Sequence, residues 1–310
     1  MQVVFNIDKQ HSLNDPIAVA LGTFDGIHIG HQMLLKQLKY IQNSLGCRSL
    51  VYTFLNNPIE LLNPEKAPAR IMTIPEKISK FNRFDIDFLV LNPFDRKLAS
   101  MSPQDFIEYM LIKNYNIKYI VVGYDFRFGY LGSGDTKLLE KLSHKYGYEV
   151  VVIPPLSLGG EIISSTLIRT LIKEGNVEKA SMYLGIPYSI SGRIVHGFGR
   201  GRKLGYPTAN LEFDARKIIP KNGIYLTKVI VDGLYHWGMT NVGTNPTFNN
   251  EGLFIETYIL NYNKDLYGAR IKLEFLKRIR DEIKFTNMED LKNQITNDVQ
   301  WAKNYIYKFQ

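Results

Sequence analysis

The sequence predicts an α/β domain built on a parallel sheet, followed by a small antiparallel β-barrel that ends in a helix. Three observations carry that expectation. The chain has 310 residues, and at roughly 100 to 200 residues per domain this length suits two cores. Over residues 17 to about 155, short apolar runs alternate with longer helical patterns, as βαβ units require. From residue 188 the pattern turns to short alternating strands broken by turn residues, which fits an antiparallel sheet or barrel.

The expected parallel strands lie at 17–24, 49–54, 87–91, 119–124 and 149–153, each rich in Val, Ile, Leu or aromatic residues as burial on both faces demands. Between the first two, residues 32–44 place Met33, Leu34, Leu38 and Ile41 near a 3.6-residue period. Residues 102–113 read as a helix with Ser102 as cap and Pro103 in its first turn. Ser164 and Ser165 precede a helix over 166–173 that Gly175 stops, and a second helix over 177–184 ends at Gly185. This pair is expected to close a first domain over 1–185, leaving 186–310 for the second. There, 224–231 and 254–260 read as strands. Leu291, Ile295, Val299 and Ala302 mark a packed terminal helix over 288–307.

Composition narrows the function classes. Hydrophobic residues at 45% and charged residues at 22% exclude a disordered, collagenous or coiled-coil chain. Cys47 is the only cysteine, so no internal disulfide forms and a Cys-based structural zinc site is excluded. No apolar stretch approaches the roughly 18 residues of a membrane span. A cytoplasmic protein with no membrane partner is expected. Lys and Arg number 38 against 30 Asp and Glu, a net +8, and from Ser181 onward there are 18 basic and 12 acidic residues. Such an excess points to an anionic partner, whether nucleic acid, membrane surface or phosphorylated small molecule, and charge alone does not choose.

Motifs do choose. Gly22-Thr23-Phe24-Asp25-Gly26-Ile27-His28-Ile29-Gly30-His31 follows the first strand and opens the first helix, where free N–H groups and the helix dipole favour an anion. The glycines allow close backbone approach, and His28 and His31, three apart, face the same side. A zinc reading of the two histidines lacks a third His or Cys nearby. Ile163-Ser164-Ser165-Thr166-Leu167-Ile168-Arg169, at another helix start, offers hydroxyls, N–H groups and a guanidinium to a polyphosphate. In the second domain, residues 196–210 join Gly197, Gly199, Gly201 and Gly205 with Arg200, Arg202 and Lys203, a composition that suits a di- or triphosphate or an RNA. The P-loop pattern is absent; Thr208 and Asn210 supply oxygen ligands suited to hydrated Mg²⁺.

Taken together, the Gly-rich His-x-Gly-His turn and the Ser-Ser-Thr-x-x-Arg helix start resemble the nucleotidyltransferase superfamily with its Rossmann-like domain. Gly123-Tyr124-Asp125-Phe126-Arg127-Phe128-Gly129 resembles the Gly-x-Asp-Phe-x-Phe-Gly motif of the prokaryotic FAD synthetases. Pro207-Thr208-Ala209-Asn210 resembles the riboflavin kinase signature. It is joined in family order by 222–225, by 241–248 and by Glu256-Thr257-Tyr258-Ile259-Leu260, and further on by 265–268 and 280–282. The resemblance to bifunctional riboflavin kinase/FAD synthetases covers essentially the whole chain.

That resemblance implies phosphorylation of riboflavin by ATP in the C-terminal barrel, with Glu256 as general base and Thr208 and Asn210 holding Mg²⁺. The loop from Gly197 to Lys203 then folds over ATP beside Gly205 and Pro207, and Arg280 contacts the flavin end. It implies adenylylation of FMN to FAD and pyrophosphate in the N-terminal domain, with His28 and His31 stabilising the developing charge. Gly22, Phe24, Asp25, Gly26 and Gly30 line the ATP site there, Ser164, Ser165, Thr166 and Arg169 hold the leaving phosphates, and Gly123, Asp125, Phe126, Arg127 and Phe128 shape the flavin nucleotide pocket. Monomers or weak homo-oligomers without nucleic acid are expected. One departure stands out: the family usually has Thr-Phe-Asp/Glu-Pro-His-Pro where this chain has Thr53-Phe54-Leu55-Asn56-Asn57-Pro58. Two alternatives follow: a riboflavin kinase whose N-terminal domain is weak or inactive, and a basic nucleic-acid-binding protein.

Overall fold

The computed structural model describes residues 1–6, 13–197, 201, 204–244 and 252–308. Two compact units emerge, divided between Ser165 and Thr166. The first holds a six-stranded, wholly parallel sheet of β1 (Gln2–Phe5), β2 (Leu13–Leu21), β3 (Arg48–Phe54), β4 (Phe88–Asn92), β5 (Tyr115–Gly123) and β6 (Glu149–Ile153), in the order β1-β4-β3-β2-β5-β6. The five expected strands are all present. The edge strand β1 was not expected, because Gln2–Phe5 is too short to show a period.

Helices α1 (Ile29–Leu45), α2 (Pro58–Leu62), α3 (Ile74–Phe81), α4 (Arg96–Ala99), α5 (Pro103–Asp105) and α6 (Thr136–Tyr146) connect these strands. Helix α5 begins as predicted, with Ser102 accepting from the Asp105 N–H and Pro103 at the first turn, but it passes into a π-helical stretch over Phe106–Ile112. Ile17, Val19 and Leu21 of β2 sink into one core with Phe106, Ile107 and Leu111 of that stretch and with Leu139 and Leu142 of α6. A two-stranded hairpin of β7 (Ser157–Leu158) and β8 (Glu161–Ile162) follows.

In the second unit, α7 (Ser165–Lys173) and α8 (Val177–Leu184) precede a closed antiparallel barrel. Its strands are β9 (Tyr188–Val195), β10 (Thr208–Phe213), β11 (Gly223–Val231), β12 (Leu234–Thr244), β13 (Leu253–Ile259) and β14 (Arg270–Arg280), closing in the order β10-β13-β12-β11-β14-β9. The sequence reading divides the chain after residue 185 by motif and helix stop signals, whereas the backbone contacts group α7 and α8 with the barrel. The reason is packing: α8 rests on β14 and β9, Glu178 pairs with Lys277 at 3.1 Å, and Gly175 leaves no room for a Cβ beside Arg278.

Alternation along the strands sorts the barrel residues onto two sides. Tyr225, Thr227 and Val229 face Leu273, Phe275, Thr240 and Thr257 inside, where every one of these side chains is fully buried. The three threonine hydroxyls satisfy one another, Thr227 to Thr240 at 2.8 Å and Thr240 to Thr257 at 2.9 Å. On the outer side Leu226 and Met239 pack against Val299, Ala302 and Ile306 of the terminal helix α9 (Met288–Tyr307), the helix predicted at those residues. The interior is tight at β9, where a Cβ on Gly192 meets the Glu212 carbonyl oxygen at 2.1 Å. Gly192→Ala is therefore expected to cost the second unit about 1–3 kcal/mol, read as an earlier urea midpoint for barrel unfolding; an unchanged midpoint contradicts the tight fit.

Candidate functional site

In the first unit, β2 and β5 lie side by side. The chain leaves β2 for β3 on one flank and returns to β5 on the other. The carboxyl ends of such a strand pair form the crevice where open α/β sheets bind ligands. From these two ends come the 22–31 turn and the 123–129 loop. Within the turn Phe24 (φ 48°) and Ile27 (φ 42°) adopt left-handed backbone alongside Gly26 (φ 85°), a conformation unfavourable for branched and bulky residues. Burial holds it: both side chains are fully enclosed, and Phe24 packs edge-on against Phe81 and tilted against His31.

His28 is the N-cap of α1, its Nδ1 accepting the His31 N–H at 3.2 Å, and the two imidazoles stack with centroids 3.7 Å apart. This is the shared face that their spacing predicts. The remaining N–H groups at the start of the 17-residue helix are open to an anion. Gly30 is needed here, since a Cβ would press on the His28 ring at 3.1 Å. The Nδ1 of His31 is buried without a hydrogen-bond partner among the described residues. Burial first, then the positive charge of His28, Lys77 and Lys80, pushes its pKa well below the ordinary histidine value, so the ring is neutral at pH 7.

Asp25 does not turn its carboxylate outward. It accepts the N–H groups of Ile71 and Met72 at 3.1 to 3.2 Å, while its carbonyl accepts the Ser165 hydroxyl at 2.8 Å. Ser165 thereby reaches the glycine turn. Thr166 and Arg169 lie farther along α7, on the far side of the division between units. In the 123–129 loop Asp125 is exposed, with its Oδ1 against Gly123. Phe126 stacks on Phe128, Phe128 belongs to the core beside Phe106, and Arg127 pairs with Asp135 at 3.6 Å.

Two residues that the sequence reading missed sit beneath the turn. Lys77 Nζ donates to the Thr23 carbonyl at 2.9 Å and Lys80 Nζ to the Gly26 carbonyl at 3.1 Å, and both side chains are buried. Burial lowers Lys77 to about 8 and Lys80 to about 7. The signal was present: Lys77 occupies the stripe that Ile74, Ile78 and Phe81 define on α3. The loop that departs from the family pattern is closed by amides. Asn56 exchanges hydrogen bonds with the Phe94 backbone at 2.9 and 3.0 Å, and Asn57 caps α2.

The second unit carries a cavity of about 950 Å³ on the outer face of the barrel, walled by β10, β12, β13, the 282–285 segment and α9. Ladder pairing builds its floor. Asn210 of β10 faces Glu256 of β13, which faces Asn241 of β12, and cross-strand partners share a side. Two residues back on β10, Thr208 lies on the same side, its hydroxyl 3.4 Å from Glu256 Oε2. Gly197 presses against the Asn210 amide, and Gly201 against the Tyr206 carbonyl; a Cβ at either would overlap its neighbour. Gly205 has φ 87°, and Pro207 is exposed just before β10. Gly199, Arg200, Arg202, Lys203 and residues 245–248 lie outside the described residues.

Arg280 lines the cavity, but its guanidinium is clasped by Asp298 of α9 at 2.5 to 3.1 Å and by the Asp281 carbonyl at 3.0 Å. Glu282, also in the lining, rests its carboxyl on Gly243. Burial raises its pKa, while hydrogen bonds from Asn222 and Asn241 pull it back. Asn241 and Glu282 lie in blocks that carry the sequence resemblance, but neither was given a role from sequence. Among the described residues no cluster of three or more His, Cys, Asp or Glu is arranged to hold a metal, and no helix is long and apolar enough to cross a membrane.

A parallel α/β unit with a histidine-capped anion turn at its strand ends, joined in one chain to a barrel with a carboxylate-floored cavity, defines a two-site enzyme of phosphorus chemistry. Comparisons specify which. The FAD synthetase family model matches residues 10–167 and the riboflavin kinase model residues 184–306. The bifunctional riboflavin kinase/FMN adenylyltransferase of Buchnera aphidicola subsp. Acyrthosiphon pisum is 37% identical over 99% of this chain and 98% of its own. Those of Escherichia coli K12 and Bacillus subtilis are 36% and 37% identical over 93% of this chain and 92% of theirs. A crystal structure titled as a macrolide-efflux protein from Streptococcus pneumoniae superposes with a TM-score of 0.88 at 33% identity, covering 97% of this chain and 99% of that one. The chain belongs to the bifunctional riboflavin kinase/FMN adenylyltransferase family, and carries both enzyme activities.

The buried lysines make a pH prediction. Their folded pKa values, about 7 and 8, lie below the ordinary 10.5, so between those limits the unfolded chain binds more protons and stability of the first unit rises with pH. Chemical unfolding followed from pH 7 to 10 should show that rise, and Lys80→Met should flatten it. A rise as steep in the variant contradicts the assignment.

Proposed function

We propose that the barrel cavity is the riboflavin kinase site and the 22–31 turn is the adenylyltransferase site. The observation that supports the first most directly is the Asn210–Glu256–Asn241 row with Thr208 in reach of the carboxylate. Glu256 acts as general base, taking the proton of the riboflavin 5′-hydroxyl as the ATP γ-phosphoryl group passes to that oxygen. The hydroxyl of Thr208 and the amide oxygen of Asn210 are hard-oxygen donors that would hold Mg²⁺, which would neutralise phosphate charge there. Gly197 and Gly201 let the backbone approach the nucleotide closely, and the cations at 200, 202 and 203 belong to the same loop. Arg280 borders the flavin end, fixed in place by Asp298.

At the first site, the FMN phosphate oxygen attacks the α-phosphorus of ATP, the bond to the bridging oxygen breaks, and pyrophosphate leaves. The α1 N–H groups, His28 and the neutral His31 imidazole donate to the phosphate oxygens, where charge grows in the transition state. Ser164 and Ser165 hold the leaving β- and γ-phosphates, and Asp125 borders the nucleotide. Mg²⁺ accompanies ATP here too. The protein works as a cytoplasmic monomer or weak oligomer on small molecules, without nucleic acid.

The test incubates the protein with ATP and Mg²⁺, together with riboflavin in one mixture and FMN in another, and resolves the flavins over time. FAD in both is expected. Glu256→Ala should cut FMN formation about 10²–10⁴-fold and spare FAD formation from supplied FMN; His28→Asn with His31→Asn should do the reverse, by at least about 10²-fold. Equal loss of both activities in either variant overturns the two-site assignment. Asn210→Asp should shift the Mg²⁺ titration of the kinase step alone.

A further inference from the structure

Asn241 stands beside Glu256 on the side away from Asn210, in register across the β12–β13 ladder. Its side chain lines the cavity, yet its Oδ1 is buried without a hydrogen-bond partner among the described residues. The other end of the amide is committed: Glu282 receives a hydrogen bond from it. An ionised carboxylate can only accept, so the NH₂ must point to Glu282 and the oxygen must face the other way. An acceptor left unsatisfied in a buried place is unfavourable unless something donates to it.

The row has direction. With Thr208 and Asn210 on one flank of Glu256 taking metal and phosphate oxygens, which are acceptors, the opposite flank is left for the alcohol substrate. That substrate carries a chain of hydroxyl donors next to the hydroxyl that is phosphorylated. We propose that Asn241 is a positioning residue whose Oδ1 accepts a hydrogen bond from a secondary hydroxyl of the ribityl chain, fixing the 5′-hydroxyl at Glu256. The proposal rests on the kinase assignment of this cavity. Glu282 and Asn222 belong to it indirectly, because they hold the amide in the orientation that presents oxygen.

The experiment measures FMN formation by the full-length chain with riboflavin and with its 2′-, 3′- and 4′-deoxy analogues, for wild type and Asn241→Ala. Wild type converting riboflavin secures the cavity assignment only with loss in Glu256→Ala; if Glu256→Ala retains full activity, that assignment fails, whatever Asn241 does. Given that loss, Asn241→Ala should raise the KM for riboflavin about three- to tenfold, leave the KM for ATP unchanged and leave FAD formation from FMN unchanged. One deoxy analogue should show the same penalty with wild type and no added penalty with the variant. An unchanged riboflavin KM, or additive losses for every analogue, overturns the proposal. Should Asn241→Ala not fold, flavin-fluorescence binding of the four compounds to wild type decides: one analogue three- to tenfold weaker supports the hydrogen bond, and equal binding of all four overturns it.

Discussion

Residues that face each other across an antiparallel ladder share one side of the sheet, and this constraint assembles the barrel site. Glu256 needs no loop to bring its neighbours: pairing of β13 with β10 and β12 puts Asn210 and Asn241 on either flank, 46 and 15 residues away in the chain. A slip of one residue in β13 would turn Glu256 into the barrel interior and Thr257 outward. The interior is what forbids the slip. Its hydroxyls are mutually satisfied and its glycines are crowded, so only one register fills it.

The first unit reaches a phosphate site by a different route. There the sheet supplies only the crevice, and the turn that lines it is held in an unfavourable backbone by two enclosed side chains and by clasps from below. Asp25 and the two lysines are those clasps, each bonded to backbone. Burial, with the positive groups around it, keeps His31 neutral, so that ring is left as a hydrogen-bonding group rather than as a further charge. Long-range positive potential and short-range hydrogen bonding are thus supplied by different residues.

Much of this was legible beforehand. The five buried parallel strands, the helix over Met288–Tyr307 and the histidine turn follow from period, capping residues and motif. Other features were not. The π-helical stretch after Ser102 keeps a helical period and so conceals its extra residue. The division ahead of α7 depends on which surface α8 covers, and its apolar stripe reads the same whichever partner it meets. The backbone partners of Asp25, Ile71 and Met72, are 46 and 47 residues away and donate through backbone that no side-chain pattern marks. Asn241 escaped because its role depends on a ladder partner and on Glu282, both invisible to local spacing.

The ion pair between Arg280 and Asp298 ties one wall of the kinase cavity to a helix that follows every barrel strand in chain order. The barrel can therefore close before its pocket does. As the chain leaves the ribosome, the six strands have all they need to pair, while the pocket still lacks α9 and stands open to water. Catalytic competence in this unit thus needs the docking of one helix as well as the pairing of six strands.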